Sequence, residues 1–414
     1  MRNYVLGMIA VARGMLVGAV ALSALASMGA WAATPPAQPK TGPGSQLDTT
    51  GEVVKRAVGR ASAATYVYHL ATQPSEARAV VVLLHAWGAV NPIVYGGWID
   101  HLARRGHLVL FPAFQAVGKT RPGDATEQAA TLVREALASL ASDPQARPDR
   151  NRLIYLGHSA GAAIGLNLAT RPLSRELPVP KLVYAVMPGG IASDEKSRGI
   201  QLADLSGIDP ETSIVTIVGD REFQAAERAS RRILRDSSTI PVTRKLFMRS
   251  ASDDHGFPAL SATLASPASP KEGYDLAAIK LPPDLPVDPR ARRAPAPKWA
   301  PDMVLTGEQT VLLGQVQRNV TDTLDYMAYW RTFDMVAAAA LSGGDMAAVR
   351  ADPSLVDMGR WSDGWPVRRL TAETPKSGEA STAAAAPAAR GPVAAAPIQS
   401  KQPVTRRRES RQSR

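Results

Sequence analysis

Gly157-His158-Ser159-Ala160-Gly161 sets one serine between two flanking glycines. A serine hydroxyl is a weak nucleophile until a neighbouring base takes its proton. Residues 152–156, RLIYL, are apolar and β-prone, whereas residues 160–169, AGAAIGLNLA, have helical composition. G-x-S-x-G between a strand and a helix makes a sharp turn that lifts the serine above a sheet, and its glycines remove Cβ atoms that would clash. The following helix N-terminus then faces the serine with free N–H groups that stabilise negative charge. The chemistry such a serine performs is acyl transfer. The bland alternative is a glycine-lined turn with an inert serine.

The base has to come from six histidines. His69 falls in an early strand, His85 ends a strand ahead of the serine, and His101 and His107 flank LARRG. His158 lies inside the motif, its direction set by the turn. Only His255, in the loop SDDHGF (252–257), follows both the serine and the last predicted strand, and chain order in this architecture is Ser, acid, His. The acid that would orient the imidazole is expected after SIVTIVG, where Gly219-Asp220-Arg221-Glu222 offers two carboxylates. Glu222 is preferred for its G-x-x-acid spacing, with Asp220 as the alternative. Asp253 and Asp254 are read as turn residues. The two oxyanion donors are expected to be the backbone N–H groups of Ala160 and of Trp87, in the loop His85-Ala86-Trp87-Gly88.

These residues need a sheet to carry them. Runs at 79–85, 107–114, 152–159, 181–189, 213–220 and 244–250 read as strands, near-continuously apolar as in strands covered on both faces. Between them, helices are predicted over 124–142, where Asp124 and Glu127 have capping-box spacing, after Ser159, and over 224–234. A final helix is expected before Gly343-Gly344, with Tyr326, Trp330, Phe333 and Ala337 on its core face. The alternation predicts an α/β protein with a mostly parallel sheet, helices on both faces and ligands at the strands' carboxyl ends. WSDGWPV (361–367) carries a turn signal at Asp363-Gly364 and no evident function.

LLHAWG, GHSAG, VGDRE and DDHGF, in that order, resemble the α/β-hydrolase superfamily over about 79–341. Within it the chain is most similar to exported bacterial hydrolases of the dienelactone-hydrolase-like and esterase-like kind, on YGGWIDHLARRGHLVLFPAFQ, DTLDYMAYWRTFDMVAAA and MGRWSDGWPV. The resemblance implies the α/β-hydrolase fold, with Ser159 as nucleophile, His255 as base, and Glu222 or Asp220 as acid. Many members have His-Gly where this chain has His85-Ala86. Alanine does not take φ > 0 comfortably, so the shape of that loop is left open.

Residues 1–32 read as a cleaved signal peptide: Arg2 and Arg13, an apolar run, then Ala30-Trp31-Ala32. A membrane anchor is the less favoured alternative, because the apolar run is short of a full span. Export to the periplasm or medium follows, and with no cysteine in the chain the core alone must stabilise it. Residues 33–46 read as a Pro-rich linker and 47–370 as the hydrolase domain. The stretch 266–302 is either a lid or an excursion without a role. Residues 371–414 read as a disordered Ala/Pro-rich and then basic tail. Net charge is +11, and Lys401, Arg406, Arg407, Arg408, Arg411 and Arg414 concentrate it in that tail. Contact with anionic envelope components is the tail's alternative to a solvated end. Without aromatic residues among the arginines, no specific nucleic-acid binding is expected. No cofactor or metal is implied. The expected substrate is a small-molecule ester. A non-catalytic scaffold, or the same triad acting on amides or lactones, are the rival readings.

Overall fold

The computed structural model describes residues 32–47, 50–61, 63–72, 76–194, 196–221, 223–284, 303, 305, 314, 316 and 318–375. Most of the expected signal peptide, part of the 266–302 stretch and the tail from 376 onward lie outside them. Among the described residues no helix is long and apolar enough to cross a membrane.

Nine strands form one sheet in the order β1-β2-β4-β3-β5-β6-β7-β8-β9. The inner six are β3 (Arg78–Leu84), β4 (Leu108–Pro112), β5 (Pro148–His158), β6 (Pro180–Val186), β7 (Ser213–Gly219) and β8 (Lys245–Ser250). They run parallel, at the places where the apolar runs predict them. β1 (Val53–Arg60) and β2 (Ala63–Leu70) form an antiparallel pair on one edge, and β9 (Thr371–Glu373) closes the other.

Six helices flank the sheet among the described residues: α1 (Gly96–Arg104), α2 (Ala125–Ser139), α3 (Ala160–Ala169), α4 (Phe223–Asp236), α5 (Arg331–Leu341) and the short α6 (Met346–Ala351). Alternate side chains of the strands serve opposite layers. In β5, Tyr155 packs under Gly165 of α3. In β6, Tyr184 points the other way, its ring 5.4 Å from that of Phe333 in α5. Its register partner is Leu156, not Tyr155. Trp98 of α1 fills the same layer beside Tyr184, Tyr329 and Phe333. The strand order, the parallel centre and helices on both faces constitute the α/β-hydrolase fold.

The capping box does not fall where the spacing put it. Asp124 makes no side-chain cap, because a 3-10 turn over Pro122–Asp124 leads into α2 and leaves the aspartate in helical conformation. A reciprocal box forms instead ahead of α5, at the π-helical stretch Leu324–Trp330 that leads into it. Asp322 Oδ1 accepts the Leu324 N–H at 2.7 Å, and Asp325 Oδ2 accepts the Asp322 N–H at 2.9 Å. Burial pushes the Asp322 carboxyl up to about 6 and raises Asp325 as well, Asp322 adding to the latter through its charge. A carboxyl raised on folding is protonated more readily in the folded state. It therefore penalises the fold increasingly as pH rises from its ordinary value near 3.8, and in full above about 6. Asp322→Asn, which keeps an acceptor for Leu324, is expected to melt higher than wild type above pH 6, with the gap closing by pH 4. A pH-independent gap in melting temperature would refute this account.

Residues 33–46, read as a linker, are packed along the body. Ala33 is buried and its carbonyl accepts the Phe257 N–H at 2.8 Å. Thr34 and Ser362 exchange two hydrogen bonds, each of 2.9 Å. The Pro36 carbonyl accepts from Thr323 and Tyr326, and the Gly44 N–H donates to Asp334. Backbone groups make most of these contacts, so side-chain composition gave no sign of them. The described part of the 266–302 stretch is also fixed. Ser269 accepts from the Gly97 and Trp98 amides, while Lys271 and Tyr274 converge on Asp100 at 2.6 Å each.

Candidate active site

Ser159 sits between the end of β5 and the start of α3 with φ 52° and ψ −114°. A non-glycine residue in such a region stores on the order of 1–3 kcal/mol of strain and persists only where its surroundings enforce it. Here the Ser159 amide continues the ladder to the Val186 carbonyl at 2.9 Å, and its own carbonyl accepts the Ala162 N–H at 3.0 Å. A Cβ on Gly157 would lie 2.5 Å from the Gly161 carbonyl carbon, and one on Gly161 would lie 2.5 Å from that of Leu84. Both glycines are therefore required for α3 to cross this close to β3 and β5. The serine is 5% exposed. Gly189, in the turn after β6, packs so closely that a Cβ there would lie 3.2 Å from the Ser159 hydroxyl oxygen. No described residue hydrogen-bonds that hydroxyl.

The loop after β3 answers the question left by Ala86. The positive φ falls on Gly88, at 88°, inside a turn closed by the Ala89 N–H on the Ala86 carbonyl at 2.9 Å. Three side chains hold this turn. Tyr95 Oη accepts the Ala86 N–H at 3.0 Å, Gln115 Oε1 accepts the Gly88 N–H at 2.7 Å, and His85 Nδ1 donates to the Ala86 carbonyl at 2.8 Å. Among amides 86–89, only that of Trp87 lacks a described acceptor. The Ala160 N–H, at the start of α3, lacks one too.

Asp220 follows the carboxyl end of β7, and the loop of His255 follows that of β8. Both Asp220 oxygens are occupied by Ser252, at 2.9 Å from its N–H and 2.6 Å from its hydroxyl. Ser252 Oγ in turn accepts the Ala262 N–H. Asp220 thus clamps the base of the loop that carries His255. Glu222 lies outside the described residues. His255 stands on a hairpin closed by the Asp253–Leu260 pair. Its Nε2 lies 2.7 Å from Asp363 Oδ2, and its ring stacks on Trp365 at 5.5 Å. Asp253 accepts the His255 N–H within its own turn, and also Trp361 Nε1 and the Arg368 N–H, so, beyond the turn bond expected of it, it ties the hairpin to residues 361–368. The structure thus brings His255 to Asp363 and makes no hydrogen bond between His255 and Ser159.

Asp363, Trp365, Tyr95 and Gln115 have roles that the sequence reading did not assign. The turn at Asp363-Gly364 was the only signal for the first two. His158 accepts the Tyr95 hydroxyl proton at Nδ1, 2.9 Å away, and donates from Nε2 to the Leu264 carbonyl at 2.8 Å. Burial pulls His158 and His85 down to about 4. Both are neutral near pH 7, with a weakly basic imidazole.

No protein-family model matches this chain, and no curated protein does. Solved structures do match. One comes from a study of two fungal esterases from Rhizomucor miehei, with 12% identity over 49% of this chain and 74% of that chain and a TM-score of 0.38. Another is carboxyl esterase 2 from the mycorrhizal fungus Tuber melanosporum, with 17% identity over 51% of this chain and 79% of that chain and a TM-score of 0.38. At these identities the likeness concerns the fold alone, and the α/β-hydrolase assignment rests on the strand order and on an elbow that follows β5.

Proposed function

We propose that this chain is a serine hydrolase that cleaves carboxylic esters of small molecules through an acyl-enzyme. Ser159 attacks the ester carbonyl as His255 takes its proton. The oxyanion is held by the Trp87 and Ala160 N–H groups. His255 returns the proton to the leaving alcohol, then activates the water that releases the acid. Glu222 is the preferred acid for its G-x-x-acid spacing, with Asp220, which also holds Ser252, as the alternative. The observation that carries this reading is the strained Ser159 backbone, enforced by two obligatory glycines, together with the Trp87 and Ala160 amides, which lack an acceptor among the described residues. A structural turn gains nothing from holding a serine in this conformation.

The second reading, a non-catalytic scaffold on the same fold, is favoured by one observation: His255 is engaged by Asp363, not by Ser159. A fluorophosphonate probe separates the two. The enzyme reading expects stoichiometric labelling of Ser159 and none in Ser159→Ala. Folded wild-type protein that stays unlabelled would establish the scaffold. Rates on p-nitrophenyl esters compared with the matching anilides and lactones then set the substrate class. Residues 1–32 are read as an export leader, so the secreted protein should begin at Ala33 on N-terminal sequencing.

A further inference from the structure

We propose that Tyr95 and His158 are positioning residues that fix the Trp87 amide for the oxyanion, an inference that rests on the hydrolase reading above.

The directions of this hydrogen-bond chain are forced. The Ala86 amide can only donate, so Tyr95 Oη accepts it at 3.0 Å. The Tyr95 hydroxyl proton then has one partner, His158 Nδ1 at 2.9 Å, which must carry a lone pair. The proton of His158 is therefore on Nε2, and it meets the Leu264 carbonyl at 2.8 Å. Each group is used once and none is left over. Tyr95 is 1% exposed and His158 2%, so these bonds lie away from bulk solvent.

What the chain connects gives it a role beyond packing. Ala86 opens the turn that presents Trp87, His158 immediately precedes the nucleophile, and Leu264 lies on the segment that follows the His255 hairpin. The relay therefore ties together the three loops on which the proposed chemistry depends. The Trp87 N–H is one peptide away from the tied amide. If the Ala86 N–H loses its acceptor, the turn keeps its bonds to the Ala86 carbonyl and the Gly88 N–H but loses the tie at its first peptide, and the Trp87 donor shifts from its position. A neutral His158 is required throughout. Burial holds it near 4, its titratable neighbours being Tyr95, itself pushed up by burial, and His85, also held near 4.

The test uses the full chain and a p-nitrophenyl ester. Tyr95→Phe should lower kcat by about 10–100-fold, part of the ~10²–10³ that loss of a whole oxyanion donor costs, with KM within about twofold. Substitutions at His158 resolve the relay by position. Asparagine places an acceptor near Nδ1 and keeps the tie to Tyr95, while glutamine places a donor near Nε2 and keeps only the tie to Leu264. His158→Gln should fall with Tyr95→Phe, and His158→Asn should recover most of that loss. This contrast stands even if Tyr95→Phe fails to fold. Equal activity of the asparagine and glutamine variants, or wild-type kcat in Tyr95→Phe, overturns the relay while leaving the hydrolase reading intact. Wild-type protein that resists fluorophosphonate removes both.

Discussion

His255→Asn is expected to lower kcat/KM for ester hydrolysis by on the order of 10⁴-fold or more, about as much as Ser159→Ala, since members of a catalytic unit fail together. The expectation is large because the other histidines are otherwise engaged. His158 uses both ring nitrogens, and His85 is buried with its Nδ1 on the Ala86 carbonyl. His101 is paired with Asp334. His69 sets Nδ1 on the Leu70 carbonyl, and the half-buried His107 directly precedes β4, at the opposite end of the sheet; His255 is the exposed one, on the correct end. In the neutral ring, the bond from Nε2 to Asp363 puts the proton on Nε2 and the lone pair on Nδ1. Asp363 thus competes with the serine for His255. An exposed pair of this kind contributes little. Asp363→Asn should accordingly raise kcat/KM, by no more than about fivefold. Kinetics on the two variants check the hierarchy. If His255→Asn hydrolyses esters at the wild-type rate, His255 is not the base. If Asp363→Asn loses activity tenfold or more, Asp363 orients the ring instead of diverting it.

The central sheet was legible because its six parallel strands are covered on both faces, which forces unbroken apolar runs. β1, Val-Val-Lys-Arg-Ala-Val-Gly-Arg, is an edge strand, largely half-buried, and its charged residues conceal it. The elbow was legible because its constraint is steric and local, and glycine is the only residue that satisfies it. The partnerships around the site were not. Tyr95 and His158 are 63 positions apart, and His255 and Asp363 are 108 apart. Nothing in the local pattern of either member indicates the other. The 33–46 strap shows the same limit from the backbone side. Its carbonyls and amides form bonds that any residue types could make, so proline content alone read as a linker. The misplaced capping box has a different origin. Spacing specifies which side chains can reach each other, but the turn that precedes the helix decides whether the first of them has a capping conformation.

Gly161→Ala is expected to prevent folding of the hydrolase body, or to destabilise it by more than about 3 kcal/mol, beyond the usual range for an added methyl group in a packed core. The new Cβ would overlap the Leu84 carbonyl oxygen, lie 2.5 Å from its carbon and lie 2.8 Å from the His85 oxygen. None of these is a flexible side chain. Leu84 is paired in β3 with Gly157 of β5, so moving its carbonyl breaks the ladder at the centre of the sheet. Moving α3 instead withdraws the helix N-terminus from Ser159 and disturbs its bond to Val186. Total stabilities of about 5–15 kcal/mol leave little room for such a loss. Gly165→Ala, one turn further along α3, is the matched control. Its Cβ would meet Leu84 and Tyr155 side chains at 3.2 and 3.3 Å, contacts that relax by a few tenths of an ångström. Thermal melts of the two variants should therefore differ sharply, with Gly165→Ala close to wild type. Comparable melting of Gly161→Ala and wild type would mean that α3 does not approach β3 this closely, and the strained serine would lose the contact that enforces it.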